Sequence, residues 1–439
     1  MKKYIALLLS LGLLLTLLSS CEMFMPAPTE HPSNWWNSAE PAGEPGSSAN
    51  PAENLEGGVD EYGFTVFPVG NYLADPKFDT DEFLPDYDAD PSFIQFLSTS
   101  MFALCQTEDT IYASRTGLNK TNFVMYADKA TGISGPLCGR PECLHNDSTC
   151  NAYVLSYADG LCVYDGKLYW ANRRSAITRM NLDGANRETV SSVGSVYDNA
   201  NKSPSVVIHR GYLYVAGSQD EVIVNGVPMG SFTINAMPLD GGEDFTILHK
   251  LVDGTGTECQ IKPVGNDLYI MLYNFNYEIE GDFDTYYYTF EFHRWDSKTR
   301  QVEFISGTQC PSNGLQFGKN GFHPVPGDGI YFQAYVSTEE GRNNVIYKYS
   351  FETGIYEEGA WINGYALLSY CKDFIVTFQD RIVYTFDYNG NLLFTSDRVE
   401  EHGLNGFLGA DSEFAYFYCL LDDHYIAVPL NGGNVIAIG

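Results

Sequence analysis

From about residue 110 to its end the chain repeats a two-part unit seven times, and this repetition limits the fold more than any single segment does. The first part is a hydrophobic pair after a turn: Ile111-Tyr112, Leu168-Tyr169, Leu213-Tyr214, Leu268-Tyr269, Ile330-Tyr331, Phe374-Ile375 and Ala415-Tyr416. The second is an alternating segment that ends in a turn, at 123–128, 177–184, 232–241, 290–296, 345–354, 382–390 and 425–432. Period-two alternation rich in Tyr, Val, Ile and Phe marks both parts as strands. Asp165-Gly166, Asp183-Gly184, Asn389-Gly390 and Asn431-Gly432 tolerate positive φ and mark reversals. Units follow one another at about 40 to 60 residues, the length of one four-stranded propeller blade. A sheet with two apolar faces needs a neighbour on each side, and closing a ring supplies both while leaving few exposed edges. The expectation is an all-β β-propeller of seven blades, with six or eight as the neighbouring counts and a sandwich or β-helix as the alternative architecture. Residues 63–69 are expected to add a strand joining the first blade to the last.

One unit is more specific than the rest. Leu168-Tyr169-Trp170-Ala171-Asn172, followed by Ile177, Arg179, Leu182-Asp183-Gly184 and Arg187, resembles the YWTD-type blade of lipoprotein-receptor propellers. The likeness covers about 30 residues, departs at Ala171-Asn172 where that family has Thr-Asp, and implies a blade, not a receptor function.

The N-terminus gives an address. Lys2 and Lys3 precede an apolar run over residues 4–18 that closes on small residues, as in a signal peptide. The run is shorter than the roughly 20 apolar residues a spanning helix needs. Leu18-Ser19-Ser20-Cys21 resembles the bacterial lipobox, which implies that Cys21 carries a diacylglycerol and begins the mature protein. Two or three acyl chains, at about 0.8 kcal/mol per buried methylene, make such an anchor stable. Residues 21–60 then read as a disordered acidic tether, since the stretch is rich in Pro, Ser, Ala, Gly, Asn and Glu and lacks Lys and Arg. A coil of about 40 residues holds the folded part roughly 35 Å from the membrane. The expected division is therefore a signal peptide at 1–20, a tether at 21–60 and a propeller at 61–439, lipid-anchored on the extracytoplasmic face of the cell membrane. A net charge of −31 excludes nucleic acid as a partner.

The sharpest chemical feature lies in an insert at 136–153, where Cys138, Cys143, His145 and Cys150 read C-x4-C-x-H-x4-C. Three thiols and an imidazole form a tetrahedral ligand set of the kind zinc prefers, and a closed Cys3His shell is structural because it leaves no open position. In an exported protein a disulfide between two of these cysteines, with Cys162 joining, is the competing reading. The string also resembles a signature of propeller-like lipoproteins of anaerobic gut Firmicutes, where it follows the first blade; that resemblance implies a surface location in a weakly oxidising habitat and no particular activity. Cys105, Cys259, Cys310, Cys371 and Cys419 stand singly and read as buried, inert thiols.

Other motifs weigh less. Asp79, Asp81, Glu82, Asp86, Asp88 and Asp90 crowd before the first blade, and Asp86-x-Asp88-x-Asp90 begins like a calcium loop, but Pro91 stands where the turn needs Gly and Leu97 where a bidentate Glu should close the shell, so the stretch reads as solvated charge. Asp282 and Asp284 read the same way, more weakly. Ser369-x-x-Lys372 falls in or beside a strand, where residues three apart point to opposite faces, so it reads as chance. There is no G-x-S-x-G, H-E-x-x-H or Walker loop. His209, His293, His323, His402 and His424 are scattered, although a propeller can bring such residues together at its centre. These features weight a binding or scaffold module for a protein or glycan over an enzyme, the alternative being an extracellular hydrolase or lyase that uses the central face. The longer inserts at 218–230 and 273–288, the latter with Tyr286-Tyr287-Tyr288, are the places expected to recognise a partner.

Overall fold

The computed structural model describes residues 104–438 apart from short segments, the longest being 192–204 and 278–285. The expected strand at 63–69, the tether, Cys21 and the acidic residues 79–90 lie outside the described residues.

Seven antiparallel sheets, each with its strands in chain order, form a seven-bladed β-propeller. Blade 1 is β1 (Leu104–Gln106), β2 (Thr110–Thr116), β3 (Asn122–Asp128) and an outer strand in two pieces, β4 (Ser134–Pro136) and β5 (Tyr153–Val154). Blade 2 is β6 (Ala158–Tyr164), β7 (Lys167–Asn172), β8 (Ala176–Asn181) and β9 (Glu188–Ser191). Blade 3 is β10 (Ser205–His209), β11 (Tyr212–Val224), β12 (Val227–Pro238) and β13 (Phe245–Asp253). Blade 4 is β14 (Thr255–Val264), β15 (Asp267–Tyr277), β16 (Tyr286–Asp296) and β17 (Gln301–Pro311). Blade 5 is β18 (Leu315–Val325), β19 (Gly329–Thr338), β20 (Gly341–Ser350) and β21 (Tyr356–Ile362). Blade 6 is β22 (Leu367–Tyr370), β23 (Ile375–Gln379), β24 (Ile382–Phe386) and β25 (Leu392–Ser396). Blade 7 is β26 (Asn405–Ala410), β27 (Phe414–Cys419), β28 (His424–Pro429) and β29 (Ile436–Ile438). The first strands of successive blades adjoin one another around the axis.

The repeated pairs open the second strand of each blade, and the alternating segments are the third. These two middle strands pack on both faces, which is why Ile111, Leu168, Leu213, Leu268 and Ile330 are buried. Blade 6 shifts by one residue. Its pair is Ile375-Val376, because the Phe374 carbonyl instead accepts the Cys371 N–H at 2.8 Å and closes the preceding turn. Residues 225–226 and 278–285 lie outside the described residues, and the described parts of the inserts at 218–230 and 273–288 are strand. They extend the middle hairpins of blades 3 and 4, whose pairing runs out to Val224↔Val227 and Tyr277↔Tyr286. Alternating Val and Ile at 222–224, and Phe and Tyr at 273–277, continue the pleat instead of ending it.

Polar contacts near the turns between first and second strands tie blade 2 to blade 3, blade 3 to blade 4, and blade 6 to blade 7. The Gly211 N–H donates to the Tyr164 hydroxyl at 2.7 Å, and the His209 Nε2 lies 2.7 Å from the Gly265 carbonyl. The Cys371 thiol donates to the Asp411 carbonyl at 3.2 Å, while Ser369 Oγ donates to the Ala410 carbonyl and accepts its N–H. Ser369 thus serves packing between blades, and Lys372 lies outside the described residues. Blade 7 closes on blade 1 through Gln106 Nε2 donating to Asp411 Oδ2 at 2.5 Å, Tyr425 Oη donating to the Ser114 carbonyl at 2.9 Å, and a shared apolar core that includes Ile111, Phe123, Tyr416 and Ile438. Asp411 also accepts the Phe414 N–H and the Tyr416 hydroxyl, and burial pushes its carboxyl up to about 6.

Candidate metal centre and central channel

The outer strand of blade 1 is interrupted. β4 pairs with Met125–Ala127 of β3 and β5 with Asn122 and Phe123, while Leu137 and Ala152 both bond to Val124, so residues 138–151 leave the sheet and return to the same strand line. Cys138 and Cys150 stand at the two ends of this excursion, and Cys143 and His145 come from its outer part. The local turns bring them inward. The Cys143 N–H donates to the Arg140 carbonyl at 3.1 Å, His145 adopts φ 51°, and the Cys150 N–H donates to the Asp147 carbonyl at 3.2 Å. Asp147 Oδ1 accepts the Thr149 N–H and hydroxyl at 2.8 and 2.7 Å, and these bonds hold its exposed carboxyl below the usual range.

The four ligand atoms lie within 4.8 Å of one another, with His145 Nδ1 3.4 Å from Cys150 Sγ. A tetrahedral ion with ~2.3 Å bonds to sulfur needs its ligands ~3.8 Å apart, so a small contraction seats one. No pair of these cysteines is joined in the structure. Burial pushes the Cys150 thiol up to about 12, helped by Cys143 and Cys138, since several thiolates cannot share so small a volume without a cation. Burial also acts on Cys138, but the Arg140 and Asn151 N–H groups and the neighbouring thiols outweigh it and bring that thiol below its ordinary value. A cluster able to coordinate a metal ion is therefore present.

Blade 2 supports the cluster. Gly184, at φ 80°, sits so close that a Cβ there would lie 2.7 Å from the backbone nitrogens of Cys138 and Gly139. Its carbonyl accepts the Gly139 N–H at 3.1 Å and Asn151 Nδ2 at 2.8 Å. Arg187 donates to the Asn151 and Tyr153 carbonyls while its guanidinium stacks 5.3 Å from the Trp170 ring. The residues that give blade 2 its YWTD likeness are thus the seat of the loop that carries the Cys/His cluster. Cys162 does not join the cluster. It lies in β6 beside Cys105 of β1, and burial raises both thiols. Cys105, Cys259, Cys371 and Cys419 are buried, as expected of structural thiols.

The histidines separate by blade. His293 Nε2 is 2.9 Å from Glu291 Oε2, and Lys250 Nζ donates to both Glu291 oxygens at 2.6 Å, which ties blade 3 to blade 4. His424 opens β28 and His402 lies outside the described residues. His323 is buried with its ring stacked on Tyr370 and Tyr388, at centroid distances of 6.2 and 5.6 Å. Beside this stack the partly buried Lys262 of β14 reaches past blade 5 to blade 6. Its Nζ lies 5.8 Å from the Phe322 ring and 5.9 Å from the Tyr370 ring. Desolvation lowers its ammonium to about 8, and the nearby Cys371 partly opposes that. Lys262, His323, Tyr370 and Cys371, from the first strands of three successive blades and the turn after β22, therefore meet beside the channel. Sequence reasoning missed Lys262, because a single lysine in an unpatterned strand gives no signal.

No protein-family model matches the chain, and no curated protein sequence matches it. Among solved structures, the chain is similar to an ulvan lyase of a polysaccharide lyase family (TM-score 0.48, 10% identity, covering 80% of this chain and 97% of that one). It is also similar to oligogalacturonate lyase from Vibrio parahaemolyticus (TM-score 0.44, 10% identity, 79% and 90%) and to acylaminoacyl peptidase from Pyrococcus horikoshii (TM-score 0.42, 12% identity, 77% and 50%). At these identities the likeness concerns fold alone. It nevertheless corrects the weighting toward a non-catalytic module: enzymes stand among the structures of like fold, so the architecture gives no ground for setting catalysis aside. None of the described residues forms a helix long and apolar enough to cross a membrane.

Proposed function

We propose that the protein is an extracytoplasmic lipoprotein, anchored through Cys21, whose propeller is a hydrolase or lyase acting on an extracellular polymer, with a structural zinc held by Cys138, Cys143, His145 and Cys150. The observation that carries the catalytic reading is the meeting of Lys262, His323 and Tyr370 beside the channel. Bond cleavage in a polymer needs a proton taken and a proton given, and an amine lowered to about 8 can exchange protons near neutral pH. His323, buried and stacked on Tyr370 and Tyr388, positions Tyr370 and does not meet substrate itself. The zinc reading rests on the donor set: three thiols and an imidazole fill a tetrahedral shell and leave no site for substrate, so the ion holds the split outer strand of blade 1 in line. The lipid anchor rests on the signal peptide and lipobox, and surface anchorage brings glycans and peptides within reach.

The test is turnover by the full chain across a panel of extracellular polysaccharides and peptides, followed by chain-length analysis. Depolymerisation of one polymer class, reduced at least a hundredfold in Lys262→Met, supports the reading. Cleavage that the variant leaves unchanged removes Lys262 from the chemistry, and no cleavage of any polymer removes the enzyme reading.

A further inference from the structure

Three features outside the metal centre stand out: the Lys250–Glu291–His293 cluster, the adjoining Cys105 and Cys162, and Lys262. The first is satisfied within itself, since each charge has its partner at hydrogen-bond distance. The second is a pair of enclosed thiols with no reagent in reach. Lys262 is different in kind. Its Nζ lies over the Phe322 and Tyr370 rings, 5.8 and 5.9 Å from their centroids, with Cys371 nearby, and no described carboxylate forms an ion pair with it. Asp267, five residues on, lies at the start of the next strand, where Arg294 is its cation. An ammonium held among aromatic faces keeps its direction but gives up hydration, and rings satisfy a cation only in part.

We infer that Lys262 Nζ is the recognition point for an oxyanion, a carboxylate or sulfate ester carried by the ligand that enters the channel. This rests on the polymer-directed reading above and narrows it to anionic polymers. A monoanion supplies the missing counter-charge and a hydrogen-bond acceptor for the ammonium, while the Phe322 and Tyr370 faces offer apolar contact to the adjoining sugar or peptide carbons. The chain carries 56 acidic against 25 basic residues, so its long-range field does not draw anions in. Recognition has to come from this local contact, and an anion gains from it what the rest of the surface denies.

The experiment is calorimetric titration of the full chain with three probes of one size: glucuronate, glucose 6-sulfate and glucose. Glucuronate or the sulfate ester is expected to bind, the better of the two naming the oxyanion, and glucose at least tenfold more weakly. Lys262→Met, which keeps the length and apolar character of the side chain, is expected to abolish the preference, and Lys262→Arg to retain part of it. Equal binding of glucose and the anions, undiminished anion binding by Lys262→Met, or no binding of either anion overturns the inference. Polymer cleavage without anion preference would leave the enzyme reading standing and remove this one. Anion preference without cleavage would do the reverse.

Discussion

Replacing Lys262 with methionine should make the protein more stable at neutral pH. The ammonium is lowered from 10.5 to about 8, and at about 1.4 kcal/mol per unit its desolvation costs about 3 kcal/mol wherever both folded and unfolded chains are protonated. Cation–π contact with Phe322 and Tyr370 offsets about 1–2 kcal/mol of that. The variant should therefore gain about 1–2 kcal/mol at pH 7. The sign of the pH dependence follows from a depressed folded value. Below about 8 the penalty is complete; between 8 and 10.5 the folded chain loses its proton first and wild type recovers stability; above that range nothing remains. Urea unfolding of both chains at pH 7 and pH 10 reads the difference as a shift in midpoint. A variant less stable than wild type at pH 7, by an amount that does not change with pH, would mean that the lysine is a structural prop and that its desolvation has been misjudged.

Three further outcomes are expected. Gly184→Ala forces a Cβ into the Cys138 and Gly139 nitrogens at 2.7 Å and strains a positive φ, so it should destabilise by about 2–4 kcal/mol and speed loss of metal to a chelator; unchanged chelation kinetics would detach blade 2 from the metal loop. Burial opposes ionisation of Glu291, but His293 and Lys250 outweigh it and hold the carboxyl at about 2, below its unfolded value, so the stabilisation is complete above about pH 4.5 and lost as pH falls toward 2. Glu291→Gln should remove about 2–3 kcal/mol at pH 7 and flatten the acid limb of the unfolding curve, and an acid limb unaltered in midpoint would contradict the assignment. Cys21→Ser should move the protein from the membrane fraction to the soluble exported fraction, and retention in the membrane would rule out the lipid as anchor.

The middle strands were legible because they are packed on both faces and must alternate. Ile111-Tyr112 and Leu168-Tyr169 announce themselves for that reason. The first and fourth strands were not read. The outer β25, for example, leaves Leu392 and Leu393 exposed, and the inner β10 and β14 carry His209 and Lys262 among their apolar residues, which breaks the alternation that marks the middle strands. In blade 6 the turn at Cys371–Phe374 absorbed a residue that looked like part of the strand, which moved the pair by one. The four residues of the Cys/His cluster were visible as spacing alone. Their support by Gly184 and Arg187 was not, since 33 residues separate Asn151 from the carbonyl it binds. Cys162 looked like a fifth member by proximity in sequence, and strand order instead sends it to the inner edge of blade 2, beside Cys105.

The most direct test of the account is the metal content and thiol reactivity of the full chain, purified without oxygen or chelator. One zinc per chain, with Cys138, Cys143 and Cys150 protected from alkylation until a chelator is added, is the predicted result. No bound metal, together with two of these thiols pairing on exposure to air, would contradict it and make the excursion at 138–151 a redox-dependent clasp.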